Sequence, residues 1–478
     1  MTANLNAVIA ANRFGLGAKP GELARAKSDP RGWLGDQVKG NRAVPEVIAK
    51  LPTSADVFKK YTDAEEARRE ARQQASSANN SEAALAQRII QGVRQVLVPM
   101  YMDQVAARYT IAAHTDEPFR EHLLHFWTNH FAVSADKVVV LGLAGALENE
   151  AIRPNLSNRF VDMLLAVEQH PAMILYLDNQ QSSGPNSQLA RLAERRAVRR
   201  DETKERKIGI NENLAREIME LHTLGVNGGY TQTDVTTFAQ ALTGWSVGGG
   251  RGRLAQGDPG KFIFRDALHE PGAKTILGKR YTEEGRAQAR TVLEDLAKHP
   301  STAQFIATKL VRHFIDDDPP AAAVEKIAKV FRDTDGDLPS VHRAVIESSQ
   351  AWQEPFAKFK TPHEFVVSAF RAVDFVPQQP NQVAAPFELL GQRPYSPGSP
   401  AGWPDTASQW DGSDALMKRI EWSTAVGQRI GSRVEPLKLA DSTLGEALGD
   451  HTRTAISRAA SAAQGLTLLL VSPEFQRR

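Results

Sequence analysis

Asn211-Glu-Asn-Leu-Ala-Arg-Glu-Ile-Met-Glu-Leu-His-Thr-Leu-Gly225 decides how this chain is to be read. Leu214, Ile218 and Leu221 recur at i, i+4 and i+7, the spacing of one buried stripe on an α-helix. Asn213, Glu217, Glu220 and Leu224 form the neighbouring stripe, so two carboxylates stand one turn apart beside the buried face. Gly225 stops the helix. Asn227-Gly-Gly-Tyr230 then turns the chain into a second helix, which Thr231 can cap with Asp234 three residues on. Helical packing is the predicted architecture.

The same signals extend outward. Thr115 can cap a helix, Asp116 and Glu117 suit its positive end, and Pro118 is tolerated in its first turn, so a helix is expected through Trp127-Thr-Asn-His-Phe131. Apolar spacing from Ala84 to Met100 predicts a long amphipathic helix before it, preceded by a polar helix that ends in a loop at 76–81. Further helices are expected at 154–169, 171–177, 231–242, 283–298, 301–314, 321–331, 338–348 and 363–373. Lys261-Phe-Ile-Phe264 and Lys274-Thr-Ile-Leu-Gly-Lys-Arg-Tyr281 have β-type composition and flank Glu270-Pro-Gly272, so they predict a hairpin. The fold class is therefore mainly α, a multi-helix globular assembly with one small β-hairpin. Its predicted divisions are an N-terminal helical unit (1–177), a polar surface excursion (178–210), a helical hairpin (211–260), the β-hairpin (261–281) and a C-terminal helical unit (282–478).

Bulk properties narrow the function classes. At 478 residues the chain exceeds one small core. A net charge of +2 gives no long-range attraction to nucleic acid. There is no cysteine, which excludes disulfides and thiolate chemistry. The first residues carry no cationic segment ahead of an apolar stretch, and runs such as Leu468-Leu-Leu-Val471 fall far short of the roughly 20 residues that span a bilayer. A soluble protein without a signal peptide is expected.

Seven runs carry a family likeness. They are Phe126-Trp-Thr-Asn-His-Phe131, the whole of Asn211 to Gly225, Ala241-Leu-Thr-Gly-Trp245, Pro300-Ser-Thr-Ala-Gln-Phe-Ile-Ala-Thr-Lys-Leu310, Ala357-Lys-Phe-Lys-Thr-Pro362, Ala401-Gly-Trp-Pro404 and Ser472-Pro-Glu-Phe475. Together they resemble the bacterial domain-of-unknown-function 1800 family over nearly the whole chain. The resemblance implies a companion, because such genes often adjoin those of a sulfatase-like family, domain-of-unknown-function 1501, whose proteins carry twin-arginine export signals. It raises the expectation of envelope or glycan work. Cytoplasmic location is expected from the missing signal, and co-export with the companion would place the chain in the periplasm.

The candidate chemistry starts from Glu217 and Glu220, read either as an acid/base pair or as partners of arginines such as Arg216 or Arg153. Two carboxylates flanking a bond suit glycoside cleavage, with Glu150 or Glu121 as a more distant partner. His122, His125 and Asn129 share one face of the Thr115 helix, and His130 points with Phe126 and Trp127. His125 or His130 is the expected proton shuttle. Asn129, Asn213, Arg216 and Arg153 are expected to position substrate, and Trp127, Trp245, His269 and Trp403 to contact it. Trp403 and Trp410 stand in or after a Pro/Gly-rich loop, where ring faces can stack on sugars. Lys358 and Lys360 read as a solvated helix start or an anion site.

No cofactor and no metal are expected. There is no His-Glu-x-x-His motif, and Asp333-Thr-Asp-Gly-Asp337 lacks the twelfth-position glutamate of a calcium loop, with Ala344 there instead, so it reads as a turn and cap. The leading expectation is a carboxylate/histidine hydrolase of a glycan or envelope polymer. The alternatives are a non-catalytic partner of the sulfatase-like companion, and a divalent-metal enzyme using His122 and His125 with Glu217 or Glu220.

Overall fold

A computed structural model of the chain describes residues 2–75, 82–200, 209–249, 256–377 and 379–478. The predicted loop at 76–81 and residues 201–208 of the predicted surface excursion lie outside them. The chain is mainly α-helical. Buried apolar side chains from Ile9 to Phe475 join in one core cluster, drawing on helices from both ends of the sequence. Among the described residues, no helix is long and apolar enough to cross a membrane.

Local chemistry explains most helix ends. Helix Pro118–His130 starts with its proline at the first position, where no amide hydrogen is needed. Its cap is Glu117 rather than Thr115, whose Oγ1 instead accepts the Glu117 N–H at 3.0 Å. Asp337 caps Leu338–Ile346 by accepting the Ser340 N–H, the role read for that acidic turn. Helix Pro362–Ala372 opens on a capping box between Thr361 and Glu364.

The Asn211 segment departs from ideal spacing. Helix Asn213–Glu217 runs into a π-turn at Ile218–His222. The extra residue rotates the end of the segment, so Ile218, Met219 and His222 are buried while Leu221 is only half-buried. Two other π-turns, Ala10–Phe14 and Glu148–Ile152, likewise turn polar groups inward.

The β segments pair differently from the expected hairpin. Phe262–Phe264 pairs antiparallel with Trp245–Val247, and Lys274–Ile276 with Lys279–Tyr281 across Leu277 and Gly278. The two predicted strands thus belong to separate sheets. Leu277 and Gly278 both have positive φ, so the tight turn sits inside the run that composition alone marks as one strand.

The start of the predicted surface excursion is interior. Asn179, Ser182, Ser183 and Ser187 are buried, and the Asn179 amide donates to the Leu242 and Trp245 carbonyls. Lys358 and Lys360 are also buried rather than solvated. Lys358 pairs with Asp317, and the Lys360 ammonium lies 4.5 Å from the Phe475 ring centroid, with burial lowering its pKa to about 7.

Candidate functional site

Helices and one loop border a cavity of about 70 Å³. Helix Pro118–His130 contributes His122, His125 and Asn129; helix Pro300–Phe314 contributes His313; the start of helix Pro362–Ala372 contributes His363 and Glu364. Trp403 and Asp405 arrive on the Pro/Gly-rich loop.

The loop is pinned by Asn129. Its side-chain amide donates to the Trp403 carbonyl at 2.9 Å and its oxygen accepts the Trp403 N–H at 2.7 Å. Gly402 makes this approach with φ +84°, and a Cβ there would stand 2.3 Å from the Asn129 carbonyl oxygen, so only glycine fits. Asn129 is therefore committed to the loop rather than free for a substrate.

The chemistry lies in three side chains. His122 Nε2 is 2.9 Å from His313 Nε2 and 3.0 Å from Glu364 Oε1. His122 Nδ1 is 2.9 Å from the Phe14 carbonyl, which only accepts, so Nδ1 carries the proton. His313 Nδ1 is 2.7 Å from the Asp405 carboxylate and donates for the same reason. In the neutral rings both Nε2 atoms therefore carry lone pairs, and they meet each other and a carboxylate oxygen. The other oxygen of Glu364 accepts the Thr361 N–H at 2.8 Å, and Arg478 approaches Oε1 at 2.7 Å.

Electrostatics reflect this packing. Burial alone would raise Glu364, but the charges around it, led by the Arg478 guanidinium, outweigh burial and hold the carboxyl well below the usual range. Asp405 is likewise lowered, because His313 and Lys358 overcome its burial. Burial lowers His122 to about 4. It also takes His125 well below the ordinary histidine value, helped by Arg108, so His125 is neutral. Neither ring nitrogen of His125 has a hydrogen-bond partner among the described residues; Nε2 is fully enclosed. The Trp403 indole N–H is also without a partner among the described residues.

The structure separates this cavity from the carboxylates singled out in the sequence. Glu217 and Glu220 are half-buried, do not line it, and form no ion pair or hydrogen bond among the described residues. Burial raises Glu217, against the pull of His222. Their expected arginines are taken elsewhere: Arg216 pairs with Glu212 and Arg153 makes a two-pronged pair with Glu121 at 2.8 Å. Glu150 accepts from Ser54 and His170. Asn213 is exposed.

Of the remaining candidates, His130 is buried and donates to the His222 carbonyl, while His222 pairs with Glu168 at 2.7 Å. Trp127 is a core residue whose indole donates to His342. Trp245 is buried against Phe262, and His269 is half-buried rather than exposed, with Nδ1 at 3.0 Å from the Thr243 carbonyl. Trp410 lies beside Trp403, with ring centroids 6.1 Å apart.

His313, Glu364 and Asp405 are the groups that sequence reasoning missed. Two signals stood near them: Ala357 to Pro362 and Ala401 to Pro404, family-like runs that end just before Glu364 and Asp405.

The comparison with curated proteins gives no match, and neither does that with solved structures. The family model described as protein of unknown function (DUF1800) matches residues 9–477. With nearly its whole length matched, the chain belongs to the domain-of-unknown-function 1800 family.

Proposed function

We propose that the chain is a hydrolase that activates water in the cavity where His122, His313 and Glu364 meet, and that it cleaves an acyl bond on a glycan-type substrate. The observation that carries this reading is the convergence of three lone-pair donors on a cavity that also holds a neutral, uncommitted His125. Water oxygen bonds to the acyl carbon, and its proton passes to a ring nitrogen of His125. The C–O or C–N bond breaks, and the leaving alcohol or amine takes that proton from His125, releasing a carboxylic acid.

Two features favour this over glycosidic cleavage by paired carboxylates. A general acid for the leaving group must be protonated, whereas Glu364 and Asp405 are both held below the usual carboxylate range. Glu217, whose pKa is raised, lies outside the cavity. Trp403 supports a sugar-bearing substrate, since its half-buried ring lines the cavity with an N–H that has no partner among the described residues.

The test is turnover of O-acetylated and N-acetylated oligosaccharides and of simple aryl esters. His125→Ala should lower kcat by about 100-fold with KM little changed, the lower end of the usual range for a proton-transfer group. Equal turnover by variant and wild type, or none by either across the panel, contradicts the reading.

A second reading, a partner for the sulfatase-like companion, is favoured by one surface. Leu416, Met417 and Ile420 on helix Ser413–Ile430 are 38%, 55% and 44% exposed within two adjacent turns. Co-sedimentation with that companion, lost in Met417→Lys, would support it.

A further inference from the structure

We infer that His122 Nε2, His313 Nε2 and Glu364 Oε1 bind one divalent transition-metal ion. The inference deepens the hydrolase reading and rests on it for the choice of cavity.

Four observations converge. The three atoms lie within 4.8 Å of one another and come from three separate helices. Bonds of roughly 2.0–2.2 Å to a shared tetrahedral ion set ligand atoms roughly 3.3 Å apart, close to the 2.9 and 3.0 Å seen here. Both imidazoles are held from behind by acceptors, the Phe14 carbonyl and the Asp405 carboxylate, which fixes Nε2 as the lone-pair nitrogen on each. That is the outer shell that orients histidine ligands and raises their basicity. Finally, all three residues line the cavity, leaving an open side for water.

Without an ion or an extra proton, two nitrogen lone pairs would face each other at 2.9 Å beside a carboxylate oxygen, all nearly out of solvent. Arg478 answers part of the charge on Glu364, but it reaches neither imidazole Nε2. Two nitrogens and one oxygen suit zinc and its transition-metal neighbours better than magnesium or calcium, which prefer oxygen alone.

The test is titration of the chelator-stripped full chain with Zn²⁺, with Co²⁺ for its visible spectrum, and with Mg²⁺ as a control. One Zn²⁺ or Co²⁺ per chain is expected, with a cobalt spectrum of low coordination number and a rise in melting temperature. His313→Ala should abolish binding. Asp405→Asn keeps the ligand set and should weaken binding by about 10- to 100-fold, which covers the case of an alanine variant that fails to fold. His125→Ala should leave the stoichiometry at one. Absence of stoichiometric binding in the wild type, or unchanged binding in Asp405→Asn and His313→Ala, overturns the inference and leaves a shared proton as the occupant. Binding without turnover on the ester panel removes the hydrolase and keeps the ion. Full turnover by stripped protein removes the ion and keeps the hydrolase.

Discussion

Arg371→Met should destabilise the protein by about 3–5 kcal/mol, measured by urea unfolding at neutral pH. Arg371 and Glu22 are both wholly buried, and Nη2 of the guanidinium donates to both carboxylate oxygens at 2.9 Å. The guanidinium also donates to the Gly17 carbonyl at 2.7 Å and to the Ala112 and Thr115 carbonyls at 2.8 and 3.2 Å. Ala112 lies in the last turn of helix Glu82–His114, where free carbonyls favour a cation. Truncation would strand the Glu22 charge and those acceptors together, which is why the expected loss exceeds that of a surface pair. Replacing both partners, as in Glu22→Leu with Arg371→Met, should recover a large part of it. If the single variant lost less than about 1 kcal/mol, the clamp would not be holding these segments. Its position ties it to the cavity: Arg371 shares a helix with Glu364, and Gly17 comes shortly after Phe14, the residue behind His122.

Stability should also fall steeply as the solution is acidified from pH 6.5 to 5.5. His342 is buried and accepts the Trp127 indole N–H on Nε2, and burial lowers its pKa to about 3. His130 is buried and likewise held well below its ordinary value, mainly by desolvation. An unfolded histidine takes up a proton near pH 6.5, whereas these two stay neutral while folded. Their contribution is thus fully present above pH 6.5 and is lost as pH falls toward the folded values, at about 1.4 kcal/mol per unit each. Across the first of those units, where the unfolded histidine is only partly protonated, each costs about 1 kcal/mol, so together they should cost about 2 kcal/mol between pH 6.5 and 5.5. Urea midpoints at pH 7.5, 6.5 and 5.5 measure this. His342→Gln, which keeps an acceptor for Trp127 but cannot titrate, should remove that residue's own share, about 1 kcal/mol between pH 6.5 and 5.5. An unchanged midpoint across that range would contradict the neutral state of both rings.

The fold was largely legible because caps and apolar spacing are local signals. Thr231 with Asp234 forms the box read from the sequence, and Asp337 caps its helix. Strand pairing was not legible, because Trp245–Val247 looks like the tail of a helix-turn segment and its partner strand, Phe262–Phe264, lies well beyond it in sequence. The π-turn at Ile218–His222 was equally hidden: a period of 3.6 points to Leu221, while one inserted residue delivers His222 to Glu168. The site was half legible. His122 and His125 stood out as histidines on an apolar face, and Trp403 as a loop aromatic. Their partners were not, since His313 sits 191 residues from His122, and Glu364 lies further on still, where a box with Thr361 already accounts for a glutamate. Glu217 and Glu220 drew notice for the opposite reason, being close in sequence without sharing the cavity.

Anomalous diffraction at the zinc edge, from crystals of the full chain grown with Zn²⁺, tests the central claim most directly. A single strong peak is predicted where His122 Nε2, His313 Nε2 and Glu364 Oε1 meet, with a light-atom ligand on the cavity side. Density showing only a hydrogen bond between the two imidazoles, with zinc absent or scattered over surface carboxylates, would contradict it.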